Sequence, residues 1–145
     1  MFVNQVLASK PHSGVRTTRP DVTVAEAAAE LATHRIGALV VCAEGTRPAG
    51  ILSERDIVRE LGTQGASVLD RTVGDLMTTK LQTCIPGDDV ESVLSRMTEG
   101  RFRHMPVLQQ DEMVGIVTLG DLVKARLSEV SMEKDALEAM ISGHG

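Results

Sequence analysis

The sequence predicts an α/β (α+β) fold made of two pseudo-symmetric β-α-β-β-α units followed by a C-terminal helix. Three observations lead to this prediction. The stretch GILSERD at 50–56 is echoed by GIVTLGD at 115–121, and helical periodicity follows a proline in each half of the chain. An apolar run typical of a strand then follows each of these helices. A duplicated unit accounts for all three observations.

The duplication extends over most of the 145 residues. The two halves align with an offset of 66 residues, which falls to 65 after one residue is lost in a turn. Prolines, glycines, aspartates and apolar positions match in this alignment. The matched pairs include Pro20 and Pro86, Gly50 and Gly115, and Asp56 and Asp121.

Both copies give the same elements in the same order. A short strand, VRTT or LQTCI, ends at a proline, and TVAEAAAELATH or DVESVLSRMTEG then places apolar residues at helical spacing. Thr23 and Asp89 are suited to cap these helices. The runs ALVVCA and MPVLQ predict a second strand, GIL and GIV a third, and RDIVREL and GDLVKARL a closing helix.

Three segments follow from this pattern. Residues 1–68 hold repeat 1 with its N-terminal lead-in, and residues 69–127 hold repeat 2 with its own lead-in helix. Residues 128–145 form a further helix and tail, because Val130, Leu137 and Ile141 share one helical stripe. We expect this helix to dock on a partner surface.

Composition excludes several classes of protein. The net charge is −5 with dispersed basic residues, and Phe2 and Phe102 are the only aromatic residues, so we expect no nucleic-acid partner. No apolar run approaches the roughly 18 residues of a membrane span, and the first residues do not resemble a signal peptide. We therefore expect a cytoplasmic protein with free cysteines, no membrane partner and no metal site.

The repeated stretch has two interpretations. A Ser or Thr followed three residues later by an acidic residue forms a capping box, although such boxes usually carry Glu or Gln where this chain carries Asp. The same geometry suits a nucleotide, because a helix N-terminus offers backbone amides to a phosphate and the aspartate can accept bonds from ribose hydroxyls. We favour nucleotide binding, with capping as the alternative.

The combination of motifs resembles a tandem pair of cystathionine-β-synthase (CBS) domains, the arrangement called a Bateman module. The resemblance rests on DLMTT, the strand-end proline, RFRHMPV and the doubled GI-x-[ST]-x-x-D, and it extends from about residue 6 to residue 127. The chain is also similar to the regulatory insert of inosine monophosphate dehydrogenase. The resemblance implies sheets packed face to face and homodimers formed through the CBS helices.

The resemblance further implies two nucleotide sites, each shared between the repeats. Site A would take Ser53, Arg55 and Asp56 from the first copy, with Thr78, Thr79, Leu81, Arg103, His104 and Met105 from the second. Site B would take Thr118, Gly120 and Asp121, with Ser9, Lys10, Ser13, Val15, Ile36, Gly37 and Ala38 opposite. Because Gly120 replaces the arginine of SERD, Lys10 is the nearest candidate cation in site B.

These features predict a regulatory protein that binds AMP, ADP, ATP or NAD(H) and signals energy or redox state to an unidentified downstream protein. S-adenosylmethionine remains open, since the same aspartate would serve its ribose. A ligand-free dimerisation module is the alternative. An enzyme such as inosine monophosphate dehydrogenase is disfavoured, because the chain is too short for a (β/α)₈ barrel and neither Cys42 nor Cys84 lies in an activated setting.

Overall fold

The computed structural model describes residues 1–10 and 15–142. Its helices are α1 (Val3–Ser9), α2 (Val24–His34), α3 (Glu54–Gln64), α4 (Val73–Leu76), α5 (Val90–Gly100) and α6 (Leu119–Ile141), with a 3-10 helix at Gly65–Asp70. Its strands are β1 (Thr17–Thr18), β2 (Ala38–Val41), β3 (Gly50–Ser53), β4 (His104–Gln109) and β5 (Glu112–Thr118). The predicted α+β fold with two repeats is confirmed.

Repeat 1 forms a sheet in the order β1-β2-β3, with β1 and β2 parallel and β2 and β3 antiparallel. In repeat 2, β4 and β5 form an antiparallel pair. The strand predicted from LQTCI is reduced to a single parallel bridge between Cys84 and Val107. This strand is short because Leu81 and Gln82 line the cavity described below, and because Pro86 has no backbone N–H to donate.

The two hydrophobic cores exchange their lead-ins. Val3 and Val6 of α1 are buried in the core of repeat 2, and Val73 and Leu76 of α4 are buried in the core of repeat 1. Matching backbone bonds hold both exchanges: an antiparallel bridge joins Phe2 to Asp89, and another joins Thr23 to Thr72. Each repeat is therefore completed by the segment that precedes the other.

The C-terminal helix continues the closing helix of repeat 2 without a break at 127/128. Residues 121–142 contain neither Gly nor Pro, so the sequence gives no stop signal before the end of α6. Leu122 is the buried anchor of α6, whereas residues 131–142 are exposed. The second half of α6 therefore extends beyond the repeat.

Candidate functional site

Both halves of the duplicated motif form complete capping boxes. In the first copy, Ser53 N donates to Asp56 Oδ2 at 3.0 Å, and Asp56 N donates to Ser53 Oγ at 3.2 Å. In the second copy, Thr118 N donates to Asp121 Oδ2 at 3.0 Å, and Asp121 N donates to Thr118 Oγ1 at 3.1 Å. The motif therefore fixes where α3 and α6 begin.

A third capping box forms at the start of α4 between Thr72 and Asp75. Asp75 N donates to Thr72 Oγ1 at 3.3 Å, and Thr72 N donates to Asp75 Oδ2 at 3.4 Å. This helix start contributes no residue to the cavity described below. Aspartate therefore serves as a capping residue in this chain, and its presence alone does not identify a nucleotide site.

The first-turn amides are mostly bonded already, contrary to the expectation that they are open to a phosphate. Glu54 N donates to Gly37 O at 2.9 Å and Asp56 N to Ser53 Oγ, while in the second copy Leu119 N donates to Arg103 O at 2.8 Å. An anion bound here would therefore depend on charged side chains more than on backbone donors.

A cavity of about 440 Å³ opens between the repeats at the start of α3. Its volume lies within the range of ordinary small-molecule sites. Of the residues predicted for site A, the cavity brings together Ser53, Arg55, Asp56, Thr78, Leu81, Arg103 and His104. Thr79 is exposed outside this lining, and Met105 is fully buried in the core of repeat 2.

Ten further residues line this cavity beyond those predicted for site A. They are Gly37, Ile51, Glu54, Arg59, Lys80, Gln82, Gly100, Arg101, Phe102 and Pro106. Gly37 was assigned to site B, and Phe102 adds a phenyl ring to the lining. Helical spacing could have identified Arg59, which follows Asp56 by one turn.

The lining is strongly basic although the whole chain is acidic. Its cations are Arg55, Arg59, Lys80, Arg101 and Arg103. Only Glu54 and Asp56 oppose them within the lining. A concave surface with this balance of charge attracts anions.

Asp56 is the one buried charged residue of the described chain, with 6% of its surface exposed. Its Oδ2 accepts bonds from Ser53 N and Ser53 Oγ, both at 3.0 Å. Its Oδ1 accepts a bond from Arg59 Nη2 at 2.8 Å. The Arg59 side chain is 58% exposed, so this partner is free to move away from the carboxylate.

Asp121, at the start of α6, is bonded to a distant part of the chain. Lys10 Nζ lies 2.9 Å from Asp121 Oδ2 and also donates to Ile116 O at 2.9 Å. Burial raises the pKa of Asp121, but the bonds from Lys10 and Thr118 outweigh burial and hold that pKa below its usual value. The predicted cation of site B thus contacts the predicted ribose acceptor.

The remaining site B residues are dispersed around this ion pair. Ser9 ends α1 and donates to Val6 O at 2.8 Å, while Val15 is half-buried and Gly120 is exposed at the start of α6. Ile36 and Gly37 precede β2, whose first residue, Ala38, is buried. Both Ile36 and Gly37 also line an open groove between α2 and α3. Ser13 lies outside the described residues.

His104 lies close to charged residues of both site A and site B. A Cβ atom added to Gly37 would lie 3.3 Å from His104 Cε1 and 3.5 Å from Glu54 Oε1, so both side chains close over this glycine. Burial lowers the pKa of His104, although the charges of Glu54 and Asp121 raise it. The ring is therefore held in a neutral state near pH 7, which favours hydrogen bonding over a cationic contact with phosphate.

Both cysteines are free and buried, and burial raises the pKa of Cys84 to about 11 and that of Cys42 above its usual value. Among residues 1–10 and 15–142, no group of three or more His, Cys, Asp or Glu side chains is arranged to hold a metal ion. Within that same range, no helix is both long and apolar enough to span a membrane.

The CBS domain family model matches the chain twice, over residues 5–63 and 73–128. The chain therefore belongs to the CBS-domain family and carries a tandem pair. CBS domain-containing protein CBSX3, mitochondrial, of Arabidopsis thaliana is 40% identical over 127 residues, which cover 85% of this chain and 62% of the plant protein. The chain thus spans less than two thirds of that relative.

Solved structures show the same arrangement. The CBS-domain containing protein ATU1752 from Agrobacterium tumefaciens has a TM-score of 0.83 at 40% identity, covering 87% of this chain and 99% of that one. The CBS domain pair of MJ0100, in complex with 5′-methylthioadenosine and S-adenosyl-L-methionine, has a TM-score of 0.77 at 26% identity, covering 89% and 98%. The chain is a CBS-pair regulatory module, and a related pair binds adenosine-containing ligands.

Proposed function

We propose that this chain is a cytoplasmic, homodimeric sensor that binds an adenine nucleotide in the cavity at Asp56. AMP, ADP, ATP and NAD(H) share the ribose, the base and the negative charge that this cavity suits. The observation that carries the proposal is a buried aspartate placed in a cavity lined by five cationic side chains. Binding would report energy or redox state to a downstream protein.

The cavity offers a chemically matching group to the ribose, the phosphate and the base of the ligand. Asp56 would accept bonds from the ribose hydroxyls once Arg59 leaves Oδ1, and Arg59 would then be free to pair with phosphate. Ile51, Leu81, Pro106 and Phe102 offer apolar surface to the base. This division of roles explains why an acidic and a basic residue face the same cavity.

The charge of the cavity favours a phosphate-bearing ligand over a sulfonium. S-adenosyl-L-methionine and 5′-methylthioadenosine in the MJ0100 complex support the adenosine part of the proposal. A sulfonium cation, however, would meet Arg55, Arg101 and Arg103 in this chain. Like charges at close range oppose binding.

The ligand would act by shifting the relative arrangement of the repeats. Site A takes residues from both copies, so a bound nucleotide stabilises one arrangement by its difference in affinity for the two. The C-terminal part of α6 would transmit this change to a partner. Hydrogen exchange at residues 128–142 should then change when ligand is added, and unchanged exchange at saturation would contradict this mechanism.

A ligand-free dimerisation module is the second candidate. It is favoured by the capping boxes, because Thr72 and Asp75 form the same box without contributing to the cavity. Under this candidate, Asp56 and Asp121 act only as helix caps. Adenine nucleotides would then leave the unfolding temperature unchanged.

The composition of the chain allows a direct test. With no Trp and no Tyr, the protein absorbs weakly near 280 nm, so a co-purified nucleotide would dominate its ultraviolet spectrum. We would record this spectrum, denature the protein, identify released molecules by mass spectrometry, and titrate ligand-free protein with AMP, ATP and NADH by calorimetry. Release or binding of an adenine nucleotide supports the sensor. Absence of both supports the dimerisation module.

A further inference from the structure

One side of α6 carries a heptad pattern that begins in repeat 2 and continues past the end of the CBS match. Starting at Val123, steps of four and three residues alternate to the end of the helix. We call these six positions the tail stripe: Val123, Leu127, Val130, Lys134, Leu137 and Ile141. Five of the six are apolar, and such spacing is typical of a coiled-coil seam.

Within residues 1–10 and 15–142, no other part of the chain covers the tail stripe. Its apolar members range from 42% exposed at Val123 to 76% at Ile141. Leu122, the buried residue of α6, points to another side of the helix, so the chain's own core does not reach the stripe. The CBS match ends at 128, and α6 continues to Ile141. A solvated helical extension of this length is marginal in water without tertiary packing.

We propose that the tail stripe pairs with the tail stripe of a second copy as an antiparallel two-helix coiled coil. A two-fold axis at residue 132 places Leu127 opposite Leu137 of the other copy, and Val123 opposite its Ile141. Val130 then lies opposite Lys134, whose stem packs while its ammonium reaches solvent. Every position of the stripe has a partner, as a self-complementary interface requires.

The charges beside the stripe select the antiparallel direction. Lys124 and Glu138 occupy equivalent flanking positions near opposite ends, so an antiparallel pair brings each lysine to the other copy's glutamate. A parallel pair would place the two Lys134 side chains opposite each other in the seam and bring Glu133 close to Glu138 of the other copy. Both parallel contacts join like charges, which is unfavourable.

Disulfide trapping tests this direction. We would mix Leu127→Cys protein with Leu137→Cys protein and oxidise gently. Wild type is the control, because Cys42 and Cys84 are buried and should not cross-link. A mixed 127–137 disulfide is the expected product. A 127–127 disulfide would establish a parallel pair, and no intermolecular disulfide would assign the stripe to a different protein. Either of these outcomes overturns the proposal.

Sedimentation equilibrium gives an independent measurement on the full chain. Leu137→Glu should weaken association at least tenfold, whereas Met132→Glu, on the opposite side of the helix, should leave it unchanged. Lys124→Glu and Glu138→Lys should each weaken association, and the double variant should restore it. Equal behaviour of Leu137→Glu and Met132→Glu, with circular dichroism showing both folded, would contradict the pairing. None of these residues lines the cavity, so ligand binding and association can fail independently.

Discussion

The starts of α3 and α6 share a capping box but differ in the cation beside the aspartate. At Asp56 the partner is Arg59, one turn further along the same helix and mostly exposed. At Asp121 the partner is Lys10, which comes from the other end of the chain and also bonds Ile116 O. The duplicated motif therefore fixes the helix start, and the surrounding residues decide whether the aspartate is accessible to a ligand.

This difference predicts unequal roles. Arg59 holds its aspartate through a local and exposed contact, whereas Lys10 connects the end of α1 to the β5–α6 junction through two bonds. We therefore expect Asp56 to be the aspartate that serves a ligand and Asp121 to be mainly structural.

The largest expected effect is on ligand-dependent stability. At a hundred times its dissociation constant, a nucleotide should stabilise wild type by about 2.7 kcal/mol. Asp56→Ala should abolish this gain because the ribose acceptor is lost, and calorimetric melting with and without ligand measures it. Asp75→Ala is the matched control, since it removes a capping box away from the cavity and costs about 1 kcal/mol of basal stability. Loss of the ligand effect in Asp75→Ala as well would contradict a specific site.

Two glycines test the exchanged lead-ins. A Cβ at Gly50 would lie 2.6 Å from Met77 Sδ and 3.0 Å from Thr78 O, whereas a Cβ at Gly115 would meet only the side chain of Leu7, at 2.7 Å. Gly50→Ala should destabilise by about 2 kcal/mol and Gly115→Ala by about 1 kcal/mol, since backbone yields less than a side-chain end. Urea unfolding followed by circular dichroism measures both, and a reversed order would be inconsistent with this packing.

Lys10→Met should remove both bonds of the lysine and destabilise the fold by about 1.5 kcal/mol. Because its folded pKa is lowered, Asp121 stabilises the wild type above about pH 4 and loses this contribution as pH falls through the folded value. The variant should lose part of that acid dependence. Thermal unfolding at pH 7 and at pH 3 to 5 measures both effects, with the exposed Lys80→Met as control. Equal stability of Lys10→Met and wild type would remove the structural role of this pair.

The smallest effect concerns His104, whose pKa is lowered by burial. As the pH is lowered from 7.5 to 5.5, this histidine takes up a proton in the unfolded chain, at about pH 6.5, before it does so in the folded chain. The free energy of unfolding should therefore decrease as the pH is lowered. His104→Asn should reduce this slope. Urea midpoints at the two pH values provide the measurement. An unchanged slope in His104→Asn would show that another group carries the dependence.

Secondary structure was the easiest part to predict because it depends on local signals. Thr23 and Asp89 cap the helices expected of them, because the side-chain oxygen of Thr23 accepts a bond from Glu26 N and that of Asp89 accepts one from Ser92 N. The length of the LQTCI strand was overestimated, since only Cys84 forms a bridge while Leu81 and Gln82 line the cavity. The continuity of α6 was also missed, although the absence of Gly and Pro could have indicated it.

Site residues were harder to predict because they depend on orientation. Side chains alternate along a strand, so when His104 and Pro106 face the cavity, Met105 must face the core. The resemblance placed His104 and Met105 together without applying this rule. Lys80 and Arg101 carry no local signal at all, because tertiary packing alone brings them to the start of α3.

The exchange of lead-ins has a consequence for how the chain is made. During synthesis, the apolar face of α1 emerges before its core, which is complete only after residues of β5 and α6 have followed. The core of repeat 1 is likewise complete only after α4 has been synthesised. Such long-range contacts slow folding, and they also make the two halves cooperate. Separating the chain between residues 68 and 69 would leave both cores incomplete, so we expect neither half to fold on its own.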